Sequence, residues 1–167
     1  GQGDPCNDST LCEVGAICVG YDAGGTSCAN FCDSDVQCEG PGGRCAIGLT
    51  GVPGVTLCSD NCDLVTSAGC QLAGSSCQVA LTDLDEPFTL CGPAGAGLEQ
   101  VLCTDTSDCA PGFICLPTSN NDNRCFEWCN TAVPGTCPPN LPTCFALNAT
   151  EGVPLVIGTI HYGVCNP

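Results

Sequence analysis

The chain contains no lysine and no methionine, its only cationic side chains are Arg44 and Arg124, and it has a single histidine, His161. Against eighteen Asp and Glu this leaves a formal net charge of −16 at pH 7. A surface of that sign repels phosphate backbones and anionic lipid, so neither nucleic acid nor an anionic membrane surface is expected as a partner. Aromatic residues are also scarce, with one Trp, two Tyr and five Phe in 167 residues. That is too little bulk for one thick core. No run of about 20 apolar residues is present, which excludes a helical membrane span. Gly1-Gln2-Gly3-Asp4-Pro5 has neither the basic start nor the apolar stretch of a signal peptide. Gly1 is therefore expected to be a mature end left after a leader is removed.

What the chain has instead is cysteine: twenty of them, in five consecutive sets of four. The sets, here units one to five, are Cys6/Cys12/Cys18/Cys28, Cys32/Cys38/Cys45/Cys58, Cys62/Cys70/Cys77/Cys91, Cys103/Cys109/Cys115/Cys125 and Cys129/Cys137/Cys144/Cys165. An even count at regular spacing predicts a complete disulfide framework and a secreted, extracellular or cell-surface location. Each loop of roughly 15 residues so closed contributes about 3 kcal/mol in the chain-entropy model, which lets covalent closure replace packing.

Units one and four share gaps of five, five and nine residues, whereas units two, three and five have a six-residue second gap and a last gap of twelve, thirteen and twenty. Three residues separate neighbouring units everywhere except between Cys91 and Cys103. There Gly92-Pro93-Ala94-Gly95-Ala96-Gly97 opens a connector, 92–102, which divides the chain into 1–91 (6–28, 32–58, 62–91) and 103–167 (103–125, 129–165). Such self-similarity predicts a tandem array whose units touch mainly their neighbours.

Apolar, β-prone residues flank the third cysteine of several units, as in Ile17-Cys18-Val19 and Ile114-Cys115-Leu116. Others end at the fourth, as in Val55-Thr56-Leu57-Cys58 and Phe88-Thr89-Leu90-Cys91, with turn residues such as Ala23-Gly24-Gly25 between the two runs. The expected fold class is small, disulfide-rich and mostly β: five four-cysteine hairpin modules with little helix. The final gap of unit five is the most apolar run in the molecule. It is either a long hairpin capping the array or an exposed edge that pairs with another chain. In the second case Val153, Leu155, Val156, Ile157, Ile160 and Tyr162 form an assembly interface.

Cys12-Glu13-Val14-Gly15-Ala16-Ile17-Cys18 and Cys109-Ala110-Pro111-Gly112-Phe113-Ile114-Cys115 share the pattern Cys-x-x-Gly-x-x-Cys, each after an Asp/Ser/Thr-rich turn. This resembles the EGF-like and dickkopf-like cysteine-rich modules of secreted proteins, and the tandem cysteine-rich repeats of bacterial surface proteins. The chain departs from the EGF pattern in having Cys-x-x-x-Cys between units where that family has Cys-x-Cys. Three pairings are open within each set, and first-to-third with second-to-fourth is preferred.

Thiolate metal sites are disfavoured, because no Cys-x-x-Cys pair exists and His161 is alone. Oxygen ligands for calcium are available at Asp83, Asp85 and Glu86, and at Asp33/Asp35, Asp105/Asp108 and Asp122, but none matches a complete calcium loop. The alternative is a set of solvated acidic turns, and no cofactor is expected otherwise. No nucleophile motif accompanies His161, so catalysis is not expected. Trp128 is expected to pack over a disulfide. Asn7-Asp8-Ser9 and Asn148-Ala149-Thr150 are acceptor sequons for a host that glycosylates them, at Asn7 and Asn148.

The expected role is a non-enzymatic extracellular subunit that polymerises with itself into a filament or surface layer. The alternative is a secreted monomeric binding module, such as an adhesin, receptor ligand or protease inhibitor, with another extracellular protein as partner. Because Arg44 and Arg124 each adjoin a cysteine, the native protein is expected to survive trypsin with its bonds intact. Rapid fragmentation without reductant would reject that expectation.

Overall fold

The computed structural model describes residues 1–7, 12–21 and 25–166. Asp8 and Ser9 of the first sequon and Ala23-Gly24 of the first hairpin turn lie outside the described residues. Each unit is a hairpin entered by a tight turn. Gly15, Gly74 and Gly112, each three residues before a third cysteine, have φ of +94°, +79° and +84°. A β-carbon strains that conformation, so glycine sets where the first strand starts. The hairpins are β1 (Ala16–Tyr21) with β2 (Gly25–Cys32), β3 (Cys45–Gly48) with β4 (Thr56–Cys58), β5 (Ser75–Leu81) with β6 (Pro87–Pro93), and β7 (Phe113–Pro117) with β8 (Asn123–Asn130). In unit five the strands β9 (Thr143–Ala146), β10 (Asn148–Thr150), β11 (Val153–Pro154) and β12 (Val156–Ile157) precede β13 (Ile160–Asn166), and β9 pairs with β13. The fold is thus the disulfide-rich, mostly β array of hairpin modules that the cysteine spacing predicts.

In all five units the third cysteine lies directly opposite the fourth across the hairpin, for example Cys18 opposite Cys28 and Cys77 opposite Cys91. Neither bonds to the other. Each bonds backwards, third to first and fourth to second: Cys6–Cys18, Cys12–Cys28, Cys32–Cys45, Cys38–Cys58, Cys62–Cys77, Cys70–Cys91, Cys103–Cys115, Cys109–Cys125, Cys129–Cys144 and Cys137–Cys165.

Units one and two merge into one sheet, β1-β2-β4-β3, because β2 runs from the fourth cysteine of one unit to the first of the next. Strand β8 fuses units four and five in the same way, in the order β7-β8-β13 with β9 on β13. The two blocks are related by a shift of 97 residues, that from Cys28 to Cys125. Gly3 N donates to Cys28 O as Gln100 N does to Cys125 O (2.8 and 2.9 Å), and Phe31 N to Gly15 O as Trp128 N does to Gly112 O (2.9 and 2.8 Å). Even a side-chain bond recurs: Asn30 N donates to Gln2 Oε1 at 2.7 Å, and Glu127 N to Glu99 Oε2 at 3.0 Å.

The connector is sewn down along most of its length. Gly92 and Pro93 belong to β6, and residues 100–103 run beside β8 as residues 3–6 run beside β2. Between them Gly95 N and Gly97 N donate to Cys109 O and Asp108 O, both at 2.9 Å. A β-carbon on Gly95 would lie 2.2 Å from Asp108 O, so these glycines serve close approach, not flexibility.

Two expectations are corrected. The units do not touch mainly their neighbours: Cys62, Leu64 and Cys77 of unit three pack with Trp128 and with Leu155, Ile157, Tyr162 and Val164 of unit five. Unit five therefore reaches well past its neighbour, and its Gly158 comes against Pro41 of unit two. Nor does the apolar final gap form an exposed assembly edge. Leu155, Ile157 and Tyr162 are 4%, 5% and 3% exposed, Val156 and Ile160 are half-buried, and of these six candidates only Val153 is exposed. Burying apolar surface at about 25 cal/mol per Å² turns the run inward once unit three offers a matching face. Leu64→Ala is expected to destabilise the disulfide-intact protein by about 2–5 kcal/mol, and Val153→Ala to change it by no more than about 0.5 kcal/mol. Denaturant unfolding of the two variants measures the contrast, and equal losses would contradict the assigned core.

Candidate functional site

The acids that the sequence offers as calcium ligands are mostly employed in turns. Asp35 accepts from Cys45 N at 2.8 Å and from Arg44 Nη1 at 2.7 Å, and the Cys45 N–H, followed by Arg44, holds its carboxyl below the usual range. Asp122 accepts from Arg124 Nη2 and Nε at 2.7 and 3.1 Å and from the Thr118 hydroxyl, and is lowered by the same groups, Arg124 foremost. Asp108 accepts from the Thr104 hydroxyl and backbone N–H, closing a 3₁₀ turn at Thr106–Asp108, while Asp105 accepts from Ser107 N. In unit two the equivalent turn, Asp35–Gln37, is closed by Gln37 Oε1, which accepts from Asp33 N and Ser34 N. These reciprocal caps satisfy backbone donors that a short turn leaves open.

Asp83, Asp85 and Glu86 are exposed on the β5–β6 turn, and their carboxylates do not gather within 4.8 Å of one another. Among the described residues, the only groups of three ligand atoms that close are cysteine sulfurs, and every one is bonded in a disulfide. A cystine sulfur is no thiolate ligand.

His161 is exposed on β13, and its backbone oxygen accepts from Thr131 N at 2.9 Å. Trp128 packs edge-on against Tyr162, with ring centroids 6.0 Å apart at 76°, in the core cluster that also holds the Cys62–Cys77 disulfide. The Tyr162 hydroxyl donates to Asp63 Oδ2 at 3.3 Å across the seam between units three and five. Asn148 is exposed at the start of β10, and Asn7 is also exposed.

One residue had no signal in the sequence. Asp60, in the three-residue spacer between Cys58 and Cys62, is 4% exposed and accepts from Cys91 N at 2.9 Å and Gln2 Nε2 at 3.3 Å. Its backbone oxygen accepts from the buried Thr89 hydroxyl, whose oxygen in turn accepts from Cys62 N. It ties the N-terminal segment and the hairpin of unit three to one junction.

A groove of about 470 Å³ between units two and three is lined by Asp35, Ala46, Leu81, Asp83, Leu84 and Glu86. A second, of about 360 Å³, lies beside Phe31 and is closed by Asp33, Gln37 and Gly54-Val55-Thr56. Charge is unevenly shared between the units. Unit five, residues 129–165, carries Glu151 as its single acid out of eighteen. In comparisons with known proteins, no family model, curated protein or solved structure matches the chain.

Burial, followed by the charge of Asp63 and the bond to it, pushes the Tyr162 phenol up to about 12. The folded state thus favours the protonated phenol over the unfolded chain, whose tyrosines titrate at about 10. That stabilisation is complete below about pH 10 and is lost as pH rises towards 12. Tyr162→Phe is expected to remove this alkaline loss, measured as unfolding free energy against pH. An unchanged alkaline slope in the variant would contradict it.

Proposed function

We propose that this chain is a non-enzymatic structural subunit of the extracellular space, secreted and then assembled with copies of itself into a protease-resistant filament or surface layer. The observation that carries the reading is the block built twice, with the same junction hydrogen bonds at a shift of 97 residues. A module junction that recurs within one chain is a contact that can recur between chains, and such head-to-tail contacts propagate when they do not close. The ends of the array, not the buried C-terminal hairpin, then supply the assembling surfaces.

The net charge of −16 opposes association at low ionic strength. At physiological salt the screening length is about 8 Å, so only close apolar contacts then decide. No cofactor has a part in this reading.

A secreted monomeric binder is the second reading, favoured by the acidic groove of Asp35, Asp83 and Glu86 with Leu81 and Leu84 at its rim. It suits a cationic, partly apolar extracellular partner. An inhibitor contact at either arginine fits less well, since Arg44 and Arg124 are paired with Asp35 and Asp122. Negative-stain microscopy and light scattering of the native protein over a range of salt separate the two. Elongated or layered particles that grow with salt and concentration are expected, and a strict monomer at high concentration would reject self-assembly in favour of the binder.

A further inference from the structure

The two blocks differ in what lies over one face of the sheet. On units four and five that face is covered by unit three. Leu64 is fully buried with Trp128 in the core, and the Val65 carbonyl oxygen stands 2.7 Å from where a β-carbon on Gly112 would be. On units one and two the equivalent glycine, Gly15, has nothing within 4 Å of that position among the described residues. Phe31, which stands where Trp128 stands, is 45% exposed against 1%. Ile17 is exposed too, whereas its counterpart Ile114 packs against the core. These residues share one surface. Phe31 N donates to Gly15 O, and Ile17 faces Ala29, which lies on the Phe31 side of β2 two residues away.

The covering unit has a recognisable kind. Only units three and five have a seven-residue first gap, and it is the first gap of unit three that carries Leu64 and Val65. The same gap of unit five, 130–136, is uncovered: Thr131 through Gly135 are all exposed, with Val133 at 49%. No charged side chain occurs from Trp128 to Thr150, so this loop approaches an acidic partner with little repulsion.

We propose that the Phe31 face of one copy binds the 130–136 loop of unit five of a second copy, in the place that unit three takes on units four and five. Face and loop are different patches on each molecule, so the contact is heterologous and extends from copy to copy. The inference rests on the self-assembly reading and names its two surfaces. Large apolar side chains that are exposed in the monomer and desolvated in the contact supply the affinity.

The test uses the full chain as Phe31→Glu, as Val133→Asp, and as an equimolar mixture of the two, followed by sedimentation velocity under conditions where the wild type assembles. Both side chains are exposed, so each variant is expected to keep ten disulfides and the wild-type circular dichroism. Each alone is expected to be monomeric. The mixture is expected to stop at a one-to-one heterodimer, because one partner keeps its loop and the other its face. Loss of assembly in Phe31→Glu alone, with none in Val133→Asp, would replace the proposal by a symmetric pairing of two Phe31 faces. Wild-type assembly by both variants would overturn the proposal and leave the filament reading standing, whereas a wild type that never assembles would overturn both.

Discussion

The rest of the structure depends on how each hairpin is closed. The third and fourth cysteines face each other across the two strands, yet each bonds to the loop that precedes the hairpin. Both strands are thereby pinned to the same short loop, and the unit holds its shape without an apolar core of its own. Much of the buried apolar material in units one and two is cystine: Cys6, Cys28, Cys32 and Cys58, with Ala29 and Leu57. Covalent closure of small loops takes over what packing does in a larger domain. The outward side chains of each hairpin are then free to pack between units, which is where the large core is found.

Packing between units explains why the modules are not beads on a string. A strand that passes through two units makes them one sheet, and Asp60 makes the next joint. Its carboxylate is buried, but it accepts from Cys91 N and from Gln2, and a buried acceptor so satisfied fixes the orientation of its neighbours. Losing one partner would leave the other exposed to the desolvation cost, so a joint of this kind resists bending.

The hairpins were legible because cysteine spacing and β-prone flanks are local signals, each read within a dozen residues. The joints were not. Gly95 and Gly97 look like a flexible linker, since glycine serves flexibility and close approach equally and only the distance to Asp108 tells which applies. Asp60 is one acid among eighteen until its partners, about 30 and 58 residues away, are placed around it. The run from Val153 to Val164 has the composition of an exposed edge and of a buried strand alike. Leu64 decides between them, because Leu155, Ile157, Tyr162 and Val164 find their partner in a loop of unit three, about 90 residues earlier in the chain.

The acidic turns are occupied with the chain's own groups. Asp35, Asp108 and Asp122 are spent on backbone N–H groups, hydroxyls and the two arginines, and the cysteines on one another. Side chains committed in this way hold loops in place and leave little to offer a ligand. What distinguishes the two blocks is instead a difference in covering and in charge: Phe31 and Ile17 stand exposed on an acidic block, and the other block ends in a nearly neutral unit. Like charges of −16 on every copy penalise random approach, and the proposed pairing of the nearly neutral loop with the Phe31 face brings the least charge together. In the proposed assembly, repulsion over the rest of the surface then acts as an orienting constraint, favouring a contact between copies that resembles the one unit three makes on units four and five.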